Sequence, residues 1–263
     1  MSATQRWRPP GFAAQVRILA ARSLRGGLGD RRLLVAGLLQ PIVILLLFSQ
    51  VFQAVGTLPG MVRYAGYVNF LIPATLINIA LAGALASGSG HLAETYSGFV
   101  GRLRTLPVDL PALLIARTVT DTVRSAAQLV VAVLTALAVF GYRPAGVLAT
   151  LALLGFAVFV GWGLGWLFVA LATWQQRPDV MQLTSFLVLF PMMFASSAYL
   201  PVELMPGWLR IVATVNPLTH AIDAARDLSL GRASGSSLGV ALALVGAVAV
   251  LGFAVAARNL RRR

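Results

Sequence analysis

The chain has no cysteine and no lysine, and only eight acidic residues among its 263 positions. Without cysteine there are no disulfides, no thiol chemistry and no thiolate metal sites. Without lysine there is no Walker A loop, whose lysine holds nucleotide phosphates, so the chain binds no ATP through that motif. Charged residues make up 11% of the sequence and hydrophobic ones 58%, where a soluble domain carries about 25% charged residues. With a mean hydropathy of +0.83, that deficit reads as a membrane protein. The net charge of +13 rests entirely on arginine. Those arginines sit in short loops and at the ends, with no basic and aromatic surface to track a nucleic-acid backbone. Nucleic acid is therefore excluded as a partner.

Hydrophobic runs and their interruptions predict an all-α, polytopic fold with about six transmembrane helices. Residues 1–10 are short, polar and basic, without the apolar core of a signal peptide. Residues 12–28 alternate Phe12, Val16, Leu19 and Ala20 with Arg17, Arg22 and Arg25, the pattern of an interfacial amphipathic helix. Spans are expected over 33–55, 67–89, 112–140, 146–173, 180–199 and 239–257, each near the length that crosses a hydrocarbon core of about 30 Å. Within them, Gly83 with Ser87, Ala82 with Ala86 and Gly90, and Gly161 with Gly165 form small-residue stripes that let helices approach closely. Asn69, Asn78, Gln128, Thr135, Gln182 and Ser185 are polar points read mainly as interhelical hydrogen bonders.

The stretch 91–117, HLAETYSGFVGRLRTLPVDLPALLIAR, organises the rest. Its Glu94, Arg102, Arg104 and Asp109 cannot dissolve in lipid, while Pro107 and Pro111 end one helix and begin another. A helix over 91–108 is expected to join two hairpins on one side of the membrane. Leu92, Tyr96, Phe99 and Leu103 would lie on one face, Glu94, Gly98 and Arg102 towards the other. The following span opens with Arg117, Asp121 and Arg124, whose spacing puts both arginines within reach of one carboxylate. A second irregular stretch, 200–231, contains Pro201, Pro206 and Pro217. It reads as two short amphipathic helices, 203–214 and 217–230, with Asn216 capping the second. Such a broken or re-entrant hairpin is tolerated only against protein or at the membrane surface.

Arginine counts set the orientation. Fifteen fall with the termini and the 91–108 helix and five on the opposite side, with Arg124 inside a span. Both termini are expected in the cytoplasm and the broken hairpin outside.

GRLRTLPVDLPALLIAR, QPIVILLLFSQVF and YVNFLIPATL, with ASSAYLPVELMPGW followed by NPLTHAIDAARDL, carry a resemblance. The chain resembles permeases of the type-2 ABC transporter family, and within it the daunorubicin and doxorubicin resistance group of drug exporters. The resemblance covers nearly the whole chain as a single transmembrane domain, 1–263. It implies an exporter of hydrophobic or amphipathic cargo in the cell membrane, pairing with a second permease chain as a homo- or heterodimer. It also implies a separate ATPase subunit that carries ATP and Mg, with no cofactor or metal on this chain. The 91–108 segment becomes the coupling helix, with Glu94, Tyr96, Gly98, Phe99, Arg102, Arg104 and Pro107 towards the ATPase. Glu203, Pro206, Gly207, Trp208, Asn216, Pro217, His220, Asp223 and Arg226 become the outer hairpin. Where the family often has several acidic residues ahead of the glycine matching Gly98, this chain keeps Glu94 alone.

Two other classes compete with this reading. A membrane-embedded enzyme could use His220 and Asp223, spaced i, i+3 on one helix turn, for acid–base work, but no nucleophile, metal cluster or second carboxylate accompanies them. A non-transporting scaffold would bind the ATPase without stimulating it.

Overall fold

The computed structural model describes residues 11–28, 39, 42–43, 46–47, 50, 64, 66–96, 110–175, 177–232 and 235–262. Among these there is no strand. Eight helices follow one another: α1 Phe12–Leu28, α2 Tyr67–Tyr96, α3 Leu110–Val139, α4 Val147–Trp174, α5 Pro178–Phe194, α6 Gly207–Val215, α7 Pro217–Ser229 and α8 Gly235–Arg262, with a 3-10 turn at Val202–Leu204. Among the described residues, four segments are long and apolar enough to cross a membrane: Tyr67–Tyr96, Ala112–Val139, Val147–Trp174 and Ser237–Asn259. The predicted span 33–55 lies mostly outside the described residues; its described positions, such as Leu39, Ile42 and Leu46, are helical.

Helices α2, α4 and α8 run parallel to one another and α3 runs antiparallel to them, which gives the bundle two ends. At one, Glu94 of α2 meets Arg117 of α3, Ala20 of α1 meets Thr120 of α3, and Asn259 of α8 donates to Thr173 of α4. At the other, Tyr142 of the α3–α4 turn meets Ser229 of α7, and Asn69 of α2 accepts from the Arg143 amide. The α3–α4 turn is bounded by Gly141 and Gly146, at φ 64° and 134°, where a side chain would be strained.

Small residues set the packing. Gly161 of α4 lies against Ala80 of α2, and Gly165, one turn on, against Ala84. The predicted four-residue spacing thus matches a four-residue spacing on its neighbour. Gly163, on another face of α4, meets Val245 of α8, and Gly252 of α8 lies over the Trp166 backbone. α4 is therefore gripped on two sides, and it supplies Leu153, Ala157, Val160, Leu164 and Phe168 to the main core cluster.

Three expected boundaries change. α2 does not stop near Ser89 but runs on to Tyr96, so no helix begins at His91, which is buried. Of the charges in this stretch, Glu94 is paired across to Arg117 of α3 and so remains on a continuous helix. The remainder of the expected coupling segment, 97–109, lies outside the described residues. The fifth span ends at Phe194 instead of 199, because the carbonyls of Ala195, Ser197 and Ala198 turn to side chains of α7. The first arm of the hairpin is the 3-10 turn followed by α6, not one helix over 203–214.

Candidate functional site

Two polar knots, one at each end of the bundle, hold the charges that lipid cannot. The first joins α2 to α3. Arg117 Nη1 donates to Glu94 Oε1 at 2.6 Å, and Arg117 Nε donates to Asp121 Oδ2 at 3.1 Å. Ser87 Oγ, two turns back from Glu94, donates to the same Asp121 oxygen at 2.6 Å. One arginine thus bridges two carboxylates on two helices. Removing Arg117 from this half-buried set would leave two carboxylates without their cation, which is destabilising.

Gly90 makes room for this bridge. A Cβ there would collide with the Arg117 guanidinium, so the stripe Ala82–Ala86–Gly90 ends in a groove for an arginine as well as for a helix. The sequence spacing anticipated Arg117 with Asp121, and that pair is present. Arg124 does not join it: among the described residues it makes no ion pair. Oδ2 of Asp121 is already taken by Arg117 and Ser87. Glu94, expected towards a partner protein, pairs with Arg117 of α3. Tyr96 is 59% exposed, which keeps it available for contact. Gly98, Phe99, Arg102, Arg104 and Pro107 lie outside the described residues.

The second knot centres on Arg226 of α7, which is 2% exposed. Its five N–H donors find five acceptors. Nε donates to Phe70 O at 3.0 Å. Nη1 donates to Ser197 Oγ at 3.1 Å and Asp223 Oδ1 at 3.0 Å, and Nη2 to Ser197 O at 2.7 Å and Ala198 O at 3.2 Å. The guanidinium carbon also lies 3.5 Å from the Phe70 ring centroid, a cation–π contact in a dry setting. Burial pulls the guanidinium down to about 10, opposed mainly by Asp223, so it stays cationic at neutral pH. This knot ties α7 to the start of α2 and to the turn after α5.

The rest of the hairpin is built by local chemistry. Asn216 accepts from the Leu218 amide as the cap of α7, with Pro217 in its first turn, both favoured there. Its Nδ2 also donates to Met192 O and Ala195 O, fastening the end of α5. Arg210 donates to Glu203 O. Pro206 precedes α6, Gly207 has open space around it, and Trp208 is exposed. The His220–Asp223 pair does not form. His220 Nε2 bonds Thr214 O, while Asp223 accepts from Ser197 and Arg226.

Ser197, Tyr142 and Ser229 escaped the sequence reading, and Ser87 was read there only as a small packing residue. A signal for α7 was present: Asp223, Arg226 and Ser229 recur every three residues, a polar stripe among alanines. For Ser197, by contrast, no pattern marks the turn.

Comparison with known proteins agrees with this architecture. The family model of the ABC-2 type transporter matches residues 14–230. The daunorubicin resistance ABC transporter permease protein DrrB1 of Streptomyces coeruleorubidus is 29% identical over 214 residues, covering 81% of this chain and 74% of that protein. A putative transport permease, ycf38 of Pyropia yezoensis, is 30% identical over 198 residues, 74% of this chain and 67% of its own length. The probable doxorubicin resistance permease DrrC of Mycobacterium tuberculosis is 23% identical over 221 residues, 84% of this chain and 78% of DrrC. The chain belongs to the ABC-2 type transporter family and is a multi-pass membrane permease.

Proposed function

We propose that this chain is the membrane half of an ATP-driven exporter of hydrophobic or amphipathic cargo, with ATP hydrolysed on a separate subunit docked at the Arg117 end. The observation that carries this reading is the Glu94–Arg117–Asp121 bridge. It clamps the helix entering the 97–109 segment to the helix leaving it. A force applied to that segment by a partner would then move α2 and α3 together, instead of being lost in a flexible joint. Exposed Tyr96 beside it supplies an aromatic contact of the kind enriched at interfaces.

A second permease chain completes the unit. α5 buries only Met181 and Ser185, and its Leu183, Phe186, Leu187, Phe190 and Phe194 stay exposed, a face that suits a matching copy. Both termini and the Arg117 end face the cytoplasm in this reading, following the arginine asymmetry, and the Arg226 end faces outwards. Cargo class rests on the relatives named for daunorubicin and doxorubicin resistance and on the apolar faces of the spans.

The test is reconstitution with a partner ABC ATPase. Arg117→Gln should leave the permease inserted but abolish export and cargo-stimulated hydrolysis. Export by the permease alone, without an ATPase, would refute the reading.

A further inference from the structure

We propose that the junction of α2, α3 and α4 holds one water molecule, bound between Ser125 and Asp121 within the membrane-spanning bundle. A cavity of about 10 Å³ lies there, with Gly83, Ser87, Thr118, Asp121, Thr122 and Ser125 in its walls. That is the space of about one water-sized sphere. Small residues create it: Gly83 and Ala84 of α2, with Gly161 and Gly165 of α4, keep three backbones close yet leave no side chain to fill the corner.

The hydrogen-bond inventory around the cavity is uneven in a way that one water would correct. Ser125 is 7% exposed, and its buried Oγ has no partner among the described residues. A buried hydroxyl without a partner is costly, most of all where lipid replaces water. Ser87 and Arg117 both donate to Oδ2 of Asp121, and no bond is made to Oδ1 among the described residues. The hydroxyl protons of Thr118 and Thr122 are spent on Leu114 O and Thr118 O, so their oxygens can only accept. A water accepting from Ser125 and donating to Asp121 and one threonine makes three bonds, the usual number for buried water. A cation fits less well, because it would face the Arg117 guanidinium already on the carboxylate.

A second cavity in the same bundle sharpens the contrast. It is also about 10 Å³, walled by Ile42, Ile72, Ile79, Ala132, Thr75 and Thr135 among others. Both of its hydroxyls donate within their own helices, to Leu71 O and Val131 O. With equal volume and no donor left over, it should be dry. The inference stands on this chemistry whether or not the bridge couples to an ATPase. Its consequence is that Asp121 keeps a solvating partner if Arg117 withdraws, so the bridge could open without stranding a bare carboxylate.

Water-edited solid-state NMR on the full chain in lipid tests this directly. Magnetisation should pass from water to Ser125 Cβ and Asp121 Cγ several-fold faster than to Thr75 and Thr135 Cβ. Build-up at Ser125 as slow as at Thr135 overturns the proposal. Melting gives an independent sign. Ser125→Ala should lower the unfolding midpoint if a bound water loses its donor, whereas a dry site would lose an unsatisfied hydroxyl and melt at the same or a higher temperature. Gly83→Ala, whose Cβ would come 3.0 Å from Ser125 Oγ, should abolish the fast transfer. Its persistence there would also overturn the assignment.

Discussion

The guanidinium of Arg117 crosses α2 directly over Gly90, occupying the space where a side chain would stand. A glycine inside a helix costs about 1 kcal/mol relative to alanine, so by propensity alone Gly90→Ala should stabilise α2. The geometry reverses that sign. The new methyl group would push Arg117 off Glu94 and Asp121 and leave both carboxylates without their cation. Gly90→Ala is expected to lower the thermal midpoint and to impair cargo-stimulated hydrolysis. Gly155→Ala, on α4 with open space around it, should leave the midpoint unchanged or raise it. A Gly90→Ala permease as stable and active as Gly155→Ala would contradict the bridge.

The bridge itself predicts strong non-additivity. Arg117→Gln leaves Glu94 and Asp121 facing one another without a cation, and should cost more than Glu94→Gln, which leaves the Arg117–Asp121 pair at 3.1 Å intact. The double variant should be less damaged than the sum of the singles, with a coupling energy on the order of 1–3 kcal/mol. Urea or thermal titration in detergent of the four forms measures it. Additive effects would mean that the 2.6 Å contact between Arg117 and Glu94 contributes nothing.

At the other end, Arg226 should be irreplaceable by lysine. An ammonium has three donors on one nitrogen and cannot match a planar fork that serves five acceptors. Arg226→Lys is therefore expected to loosen α7 from the turn after α5, making the stretch between them sensitive to added protease. Asp223→Asn should be milder, because the Asp223 side chain is 45% exposed and water can replace part of its role. Equal protease resistance in wild type and Arg226→Lys would show that the knot does not hold the hairpin.

How much of this was legible beforehand depends on the range of the interaction. The cap at Asn216, the proline after it and the Gly161–Gly165 stripe are local patterns, and each appears where its spacing placed it. The continuation of α2 past Gly90 was not legible. Charge within 91–117 argued for a break, and only the partner on α3 shows that Glu94 can be accommodated on an unbroken helix. Arg226 could be assigned to the hairpin from its position, but its acceptors on Phe70, Ser197 and Ala198 lie 28 to 156 residues away. No periodicity in a single segment encodes such a meeting. The pairing of Glu94 with Arg117 was not legible for the same reason: a short-range pattern says which residues share a face, not what that face will meet.

Orientation provides the last prediction. The bundle has two distinct ends, with Tyr96 exposed near one and Trp208 exposed near the other. The sequence pattern assigns fifteen arginines to the side of the termini and the 91–108 segment and five to the other, and positive charge is retained on the cytoplasmic side. Because the chain has no cysteine, Tyr96→Cys and Trp208→Cys each introduce a unique thiol without further engineering. Neither side chain has a role in the Arg117 or Arg226 knots, so both variants should insert normally. A membrane-impermeant maleimide added to intact cells should modify the cysteine at 208 and spare that at 96, while permeabilised cells should label both. The reverse pattern would invert the membrane orientation and put the Arg226 knot, not the Arg117 bridge, on the side where ATP is available.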